Sequence, residues 1–259
     1  MKITYLYHDC FLIETERCFI LTDYWEGVPI NPLTLMNSDK PCYVLISHHH
    51  KDHFSPRIYS WSTRFRDIHY LISNDVKIRC KHFFNPNSKY LGPNRTSPDK
   101  VNVLRPGEVY KDNIISVYAF GSTDIGNSYV IETEGKRLFF AGDLNVWVWR
   151  DESSGEEVDD MLRRFYAILK SIYASFREFN VAFFPVDPRM GKDLTEGAEL
   201  FCQMFSTKVL IPMHFELWKD KGPREKFIEE ISRARAILEK VPGLEYIPLS
   251  NPLESVTID

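Results

Sequence analysis

Apolar runs of four to six residues, separated by polar turns, dominate the first half of the chain. Lys2–Tyr7, Phe11–Glu14 and Phe19–Thr22 read as strands and predict an antiparallel opening. Gly27–Pro41 holds three prolines and two asparagines and reads as a loop leading into a Tyr43–Ile46 strand. Ser55 then Pro56 has the form of an N-cap and first helical position, so Pro56–Arg66 is expected to be helical. His69–Ile72 follows as a strand and Val76–Phe83 as a short helix. Asn85–Lys100, rich in Pro, Asn, Ser and Gly, is the best linker candidate, but strands resume immediately after it and a long surface loop is expected.

The second half repeats the order. Val101–Leu104, Glu108–Tyr110, Ile114–Phe120, Ser128–Glu132 and Arg137–Ala141 are β-type runs, the last two joined by a turn at Gly135. Met161, Leu162, Phe165, Ile168, Leu169, Ile172, Tyr173 and Phe176 recur at steps of three and four and predict an amphipathic helix. The acidic stretch before it, Asp151–Asp160, suits a solvated loop and a helix N-terminus. Val181–Pro185 and Val209–Ile211 read as strands, Leu194–Phe205 and Pro223–Glu239 as helices, with short apolar runs near Tyr246 and Val256. Two rounds of strands followed by alternating helices and strands fit a sheet-on-sheet core with helices on both outer faces. Residues 1–259 are expected to form a single domain.

Composition narrows this picture. Apolar content of 44% with 14% aromatics supplies a substantial core. A net charge of -4 argues against a dedicated nucleic-acid binder and leaves room for a local basic patch. Cys10, Cys18, Cys42, Cys80 and Cys202 are scattered without a CxxC pair, which suits reduced thiols in a cytosolic protein. No apolar run approaches the roughly 20 residues of a membrane span. The expectation is a soluble, cytoplasmic protein with a small-molecule substrate, no nucleic-acid or membrane partner, and room for a homo-oligomer.

Candidate chemistry concentrates after the Tyr43–Ile46 strand. His48, His50, Asp52 and His53 fall within six residues. In extended backbone His48 and His50 project to one side, and Asp52 and His53 follow as the chain turns. Imidazoles and a carboxylate converging at a strand end suit a divalent transition metal. Two later runs share this grammar: Arg137–Asp143 ends in a carboxylate after a glycine, and Val209–His214 ends in a histidine. Alone, a strand-end Asp is most often a turn former and a lone histidine a core residue. Together, the three make the metal reading the stronger one. Asp23, also at a strand end, could orient a ligating imidazole or simply make a turn.

These motifs, His48-x-His50-x-Asp52-His53, Ala141-Gly142-Asp143 and the late His214, resemble the metallo-β-lactamase superfamily of metal-dependent hydrolases. Phe120–Asp124, Ala141–Asn145, Trp147, Trp149, Val186–Arg189 and Ile211–His214 are similar to the branch that includes ascorbate-6-phosphate lactonase. The resemblance implies an α/β fold, a four-layer αββα sandwich, with one or two divalent ions (zinc, manganese or iron) at one edge between the sheets. It implies that His48 and His50 serve a first metal position, that Asp52, His53 and His214 serve a second, and that Asp143 bridges both. It also suggests that His8-Asp9, in the turn after the first strand, lines the site, with a simple turn as the plain alternative. The superfamily commonly adds a third histidine to the first position near Gly121–Asn127, where this chain has Gly121-Ser122-Thr123-Asp124. Ser122, Asp124 or water could fill that place, shifting preference from zinc towards manganese or iron; a capped turn is the plain alternative.

The implied chemistry is attack of a metal-bound hydroxide on an ester, lactone or phosphodiester, with Asp143 holding the metals and Asp52 steering the nucleophile and accepting a proton. Arg189 could bind a substrate anion or pair with a nearby acid. Trp147 could wall the pocket or merely pack. Three rival readings stand beside hydrolysis: a di-iron enzyme of oxygen chemistry on the same fold, a metal-binding module without turnover, and a nuclease. Net acidity and the lack of a large inserted domain weigh against the last.

Overall fold

The computed structural model describes residues 1–37, 39–216 and 224–259. Among these residues, fourteen strands build two seven-stranded sheets. The first carries β1 (Lys2–Tyr7), β2 (Cys10–Glu14), β3 (Phe19–Thr22), β4 (Cys42–Ile46), β5 (Ile68–Ser73) and β6 (Val101–Leu104), paired in that order. The second runs from β7 (Val109–Lys111) through β8 (Ile115–Phe120), β9 (Ser128–Thr133), β10 (Lys136–Phe140), β11 (Glu178–Pro185) and β12 (Ser206–Met213) to β13 (Glu245–Tyr246). β14 (Ser255–Thr257) returns to the first sheet, antiparallel to β1.

Each sheet opens antiparallel and continues parallel. β1 to β3 are antiparallel and β3 to β6 parallel. β7 to β10 are antiparallel and β10 to β13 parallel. Parallel strands need both faces covered, which is why Cys42–Ile46 reads as an unbroken apolar run. Its alternate residues serve different layers. Tyr43 and Leu45 join Ile3, Tyr5, Phe11 and Ile13 in the core shared with the second sheet. Val44 and Ile46 join Tyr70 and Ile72 under Ile58, Tyr59 and Trp61 on the outer face.

Four α-helices complete the layers among the described residues: α1 (Asn74–Cys80), α2 (Gly155–Tyr173), α3 (Glu196–Met204) and α4 (Arg224–Leu238). The helix α2 begins inside the acidic stretch, where Ser154 and Glu157 form a reciprocal capping box. The cap contributes about 1 kcal/mol, whereas each buried side chain contributes about 1.5–3 kcal/mol. Packing of Phe165, Leu169 and Ile172 therefore holds α2 more than its cap does. The first residue of the expected Pro223–Glu239 helix lies outside the described residues.

One expected helix takes a tighter form. Pro56–Thr63 is a 3₁₀ run, although Ser55 does cap it as the sequence suggests. Ser60, Ser62 and Thr63 each donate their hydroxyl to the carbonyl three residues earlier, which favours the tighter winding. The Gly135 turn is as expected, with Glu134 and Gly135 both at positive φ. The Asn85–Lys100 stretch is a long loop ending in a short 3₁₀ turn. All five cysteines are buried and free. No helix among the described residues is long and apolar enough to cross a membrane.

Candidate metal centre

The carboxyl ends of β1, β3, β4, β10, β11 and β12 lie at one edge of the sandwich, where parallel strands usually present ligand-binding groups. Immediately after them come His8, Asp23, His48, Asp143, Asp187 and His214. Two glycines let the loops close around Ser47. A Cβ at Gly126 (φ 79°) would lie 2.1 Å from the Ser47 carbonyl oxygen, and one at Gly142 (φ 52°) 2.7 Å from Ser47 Cβ. Both positions need a residue without a side chain.

Asp143 stands at the centre. Its Oδ2 is 3.4 Å from His48 Nε2, and its Oδ1 is 3.3 Å from His53 Nε2 and 3.4 Å from His214 Nε2. His48 Nε2 and His50 Nδ1 are 2.9 Å apart, and Asp124 Oδ2 is 3.6 Å from His50 Nδ1. Donor atoms of His48, His50, Asp124 and Asp143 all fall within 4.8 Å of one another, and so do those of His8, Asp9, His53 and His214. Asp52 sits on the cleft side, its Oδ2 3.7 Å from His8 Nε2 and 3.9 Å from His53 Nε2.

Behind the imidazoles lies a set of carboxylates that fixes their orientation. Asp23 Oδ2 is 2.8 Å from His53 Nδ1, and the same carboxylate accepts from the Ser47 backbone N–H and hydroxyl. Ser47 Oγ reaches His48 Nδ1 at 2.9 Å. Asp187 Oδ2 is 3.1 Å from His214 Nδ1. Each of these histidines thus has Nδ1 engaged and Nε2 turned to Asp143, an arrangement that directs one ring nitrogen at a shared point. His49 turns away and pairs with Asp75 at 2.8 Å.

The residues fit a divalent cation. His53 Nε2 and Asp143 Oδ1 are buried and close, yet neither has a hydrogen-bond partner, and both carboxylate oxygens of Asp9 share that state. Buried polar atoms without partners are rare and expensive. Burial is the largest influence on Asp9 and, with Asp143 and Asp23 nearby, lifts its carboxyl to about 7 against the pull of His214 and His53. Burial alone would lower His214, but Asp143, Asp9 and Asp187 outweigh it and raise the imidazole to about 9. His53 is raised in the same way, against burial, by Asp143, Asp9 and Asp23. His48 moves down, through burial first and then the adjacent imidazoles. Carboxylates that hold protons on neighbouring imidazoles would equally stabilise a metal ion in their place.

Over the cluster opens a cleft of about 520 Å³, whose lining includes His50, Asp52, Asp143, Trp147, Arg164 and Arg189. Trp147 Nε1 donates to the Asp143 carbonyl at 2.8 Å, so the indole both packs and faces the cleft. Arg189 has found the nearby acid: its guanidinium forks onto Asp187. In Ser122–Asp124 both alternatives are present. The Ser122 hydroxyl accepts from the Asp124 N–H at 3.3 Å, a turn, while the Asp124 carboxylate faces His50. A second recess of about 600 Å³, beside Asp112, Glu132 and Lys208, lies at the opposite sheet edge, away from these clusters.

The sequence pairs Asp9 with His8 as a site-lining or turn residue, but it assigns no role to Ser47, Asp187 or Arg164. Asp187 had a usable signal, since it follows the apolar run Val181–Pro185 much as Asp143 follows its own run.

Residues 2–162 match the family described as "Beta-lactamase superfamily domain". The chain belongs to the beta-lactamase superfamily. A relative from Pyrobaculum islandicum named "UPF0173 metal-dependent hydrolase" is 23% identical, the match covering 94% of this chain and 98% of the relative. One of the same name from Ignicoccus hospitalis is also 23% identical, over 100% and 98% of the two chains. Among solved structures, Igni18, a metallo hydrolase from Ignicoccus hospitalis, superposes with a TM-score of 0.66 at 16% identity, covering 98% and 97%. CmlA, a diiron beta-hydroxylase from Streptomyces venezuelae, gives 0.59 at 12% identity, covering 96% of this chain and 53% of CmlA. At such identities the structural likeness speaks for the superfamily's fold, the αββα sandwich expected from the motifs.

Proposed function

We propose that this chain is a metal-dependent hydrolase of a small anionic ester, lactone or phosphodiester. The observation that carries the reading is Asp143, whose two carboxylate oxygens are each within 3.4 Å of imidazole nitrogens presented from different strand ends. His48, His50 and Asp143 would hold a first ion, with Asp124 in the place of a third imidazole. His53, His214, Asp143 and Asp52 would hold a second, with His8 bordering it. A divalent ion bound there supplies Lewis acidity and lowers the pKa of a coordinated water from about 16 towards 7.

The chain's own residues do the rest. Asp52, on the cleft side and part-exposed, is placed to take a proton from the attacking water. Asp23, Ser47 and Asp187 keep the imidazole rings in register. Trp147 and Trp149 line the cleft and would wall a bound substrate on one side. Arg164 and Arg189 both line the cleft, Arg189 while paired with Asp187, and guanidinium groups in that lining support an anionic substrate. The relatives' name, metal-dependent hydrolase, supports the same reaction class.

Two histidines and two carboxylates at the first position also suit iron, and CmlA supports a di-iron oxygen enzyme as the second reading. Elemental analysis with assays on lactones, phosphodiesters and phosphorylated sugar acids separates the two. Zinc or manganese with turnover that disappears in Asp143→Asn is the expected result. Turnover that survives Asp143→Asn would rule out the proposed mechanism, and two irons with a visible charge-transfer band would favour oxygen chemistry.

A further inference from the structure

Two ligand-type histidines, His8 (φ 58°) and His214 (φ 67°), hold left-handed backbone without being glycine. Such a conformation persists only where the surroundings over-determine it. Their rings lie 4.5 Å apart, on turns from different sheets. One buried hydroxyl joins those turns. Tyr5 Oη accepts the His8 backbone N–H at 2.8 Å and donates to Glu216 Oε1 at 3.1 Å. The Glu216 carboxylate, two residues past His214, is 2% exposed. Arg224, at the start of the described part of α4, forks onto it at 3.0 Å from Nε to each oxygen and 2.6 Å from Nη2. Arg224 also donates to the Ser250 carbonyl. Phe215, between His214 and Glu216, stacks on the Tyr5 ring at 5.7 Å and 18°.

We propose that Tyr5, Glu216 and Arg224 are positioning residues for the metal centre. They lock the His8 and His214 turns into one rigid unit and tie it to α4. The inference rests on the metallohydrolase reading and extends it to residues that touch neither substrate nor metal. The physical reason is that a metal ligand must be held within a few tenths of an ångström, while a strained turn just past a strand end would relax without a partner. Glu216 can do this because it is anionic. A buried carboxylate with a guanidinium fork has a fixed geometry that a neutral amide would not reproduce.

The network predicts an asymmetric defect. His48 and His50 reach the centre through Ser47 and Asp23 and do not share the clamp. In Tyr5→Phe the ring stack survives and only the hydroxyl bridge is lost. Manganese titrations of the metal-stripped full chain should then show the His48–His50 step little changed and the His53–His214 step loosened by about 10–100-fold. Glu216→Gln should do the same, and the visible spectrum of the cobalt-substituted protein should change in both variants. Arg224→Ala should loosen the same step, and Arg224→Lys should retain part of the affinity that Arg224→Ala loses. Thermal unfolding of the metal-stripped variants controls for a general loss of fold.

Wild-type affinity and an unchanged cobalt spectrum in both Tyr5→Phe and Glu216→Gln would overturn the inference while leaving the hydrolase reading intact. Equal weakening of both steps, in proportion to lost stability, would also overturn it. A wild-type chain that takes up neither manganese, zinc nor cobalt would overturn the metallohydrolase reading and this inference with it.

Discussion

Arg189 is engaged by Asp187: its Nε lies 3.1 and 2.8 Å from the two carboxylate oxygens, and the same carboxylate reaches His214 Nδ1 at 3.1 Å. The arginine therefore acts on His214 through Asp187 even though part of it lines the cleft. Burial would raise the Asp187 carboxyl, but His214 and Arg189 outweigh it and hold it below the ordinary carboxylate range. In Asp187→Ala the His214 ring loses its orienting partner and Arg189 its counter-charge. Metal affinity should fall about 10–100-fold, measured by competition with a chelating dye. Arg189→Ala should lower kcat as well as raise KM. A pure KM effect would show that Arg189 acts only on substrate.

Asp124 faces His50 where the superfamily commonly presents an imidazole. Asp124→Ala should weaken one metal step and spare the other. Asp124→His should move selectivity towards zinc, because imidazole suits zinc better than a carboxylate does. Elemental analysis after growth in mixed metals reads the outcome, and an unchanged zinc-to-manganese ratio would rule out a ligand role for this position.

Gly126 and Gly142 leave no space for a side chain beside Ser47. Gly126→Ala combines a left-handed backbone with a Cβ 2.1 Å from a carbonyl oxygen, and should destabilise the fold by about 2–5 kcal/mol. Urea unfolding measures the loss. Gly107, also at positive φ but with nothing near its Cβ, serves as the control; Gly107→Ala should cost only the strain, about 1–2 kcal/mol.

Asp112 sits at the far edge of the sandwich and accepts from Tyr43, Tyr110 and the backbone N–H groups of Ile114 and Ile115. Burial works against its charged form, but the bonds from Tyr43, Ile115, Ile114 and Tyr110 prevail and lower its pKa. A lowered folded-state pKa stabilises the fold above the unfolded value near 4, and that contribution fades as pH falls through the folded value. Asp112→Asn should cost about 1–3 kcal/mol at pH 7. The gap between wild type and variant in urea midpoint should narrow on acidification below about pH 4. A gap independent of pH would show that the carboxylate charge contributes nothing.

Much of the architecture was legible because strand pairing and helix packing leave a local signature. Apolar alternation is a property of neighbours two or four apart, so Tyr43–Ile46 and Phe165–Ile172 declare their burial in the sequence itself. The metal motif was legible for the same reason: His48 to His53 are contiguous, and Asp143 and His214 each end an apolar run. The helix at Pro56 came out tighter than expected because side-chain hydroxyls compete for its carbonyls, a balance that the N-cap signal does not report.

Partnership was a different matter. By itself the sequence determined which residues stand at strand ends, because a run of apolar residues must stop where the chain leaves the core. Only the tertiary structure decided which ends meet. Strand pairing within the first sheet brings Asp9 against His53, and the packing of one sheet on the other brings Tyr5 against Glu216 and Asp143 between three imidazoles. Those pairs are separated by tens to hundreds of residues, and nothing local distinguishes an Asp that orients a ligand from one that makes a turn. Arg189 shows the limit most plainly. Its partner is two residues away, yet whether the guanidinium folded back or reached outward depended on His214 drawing Asp187 into the site.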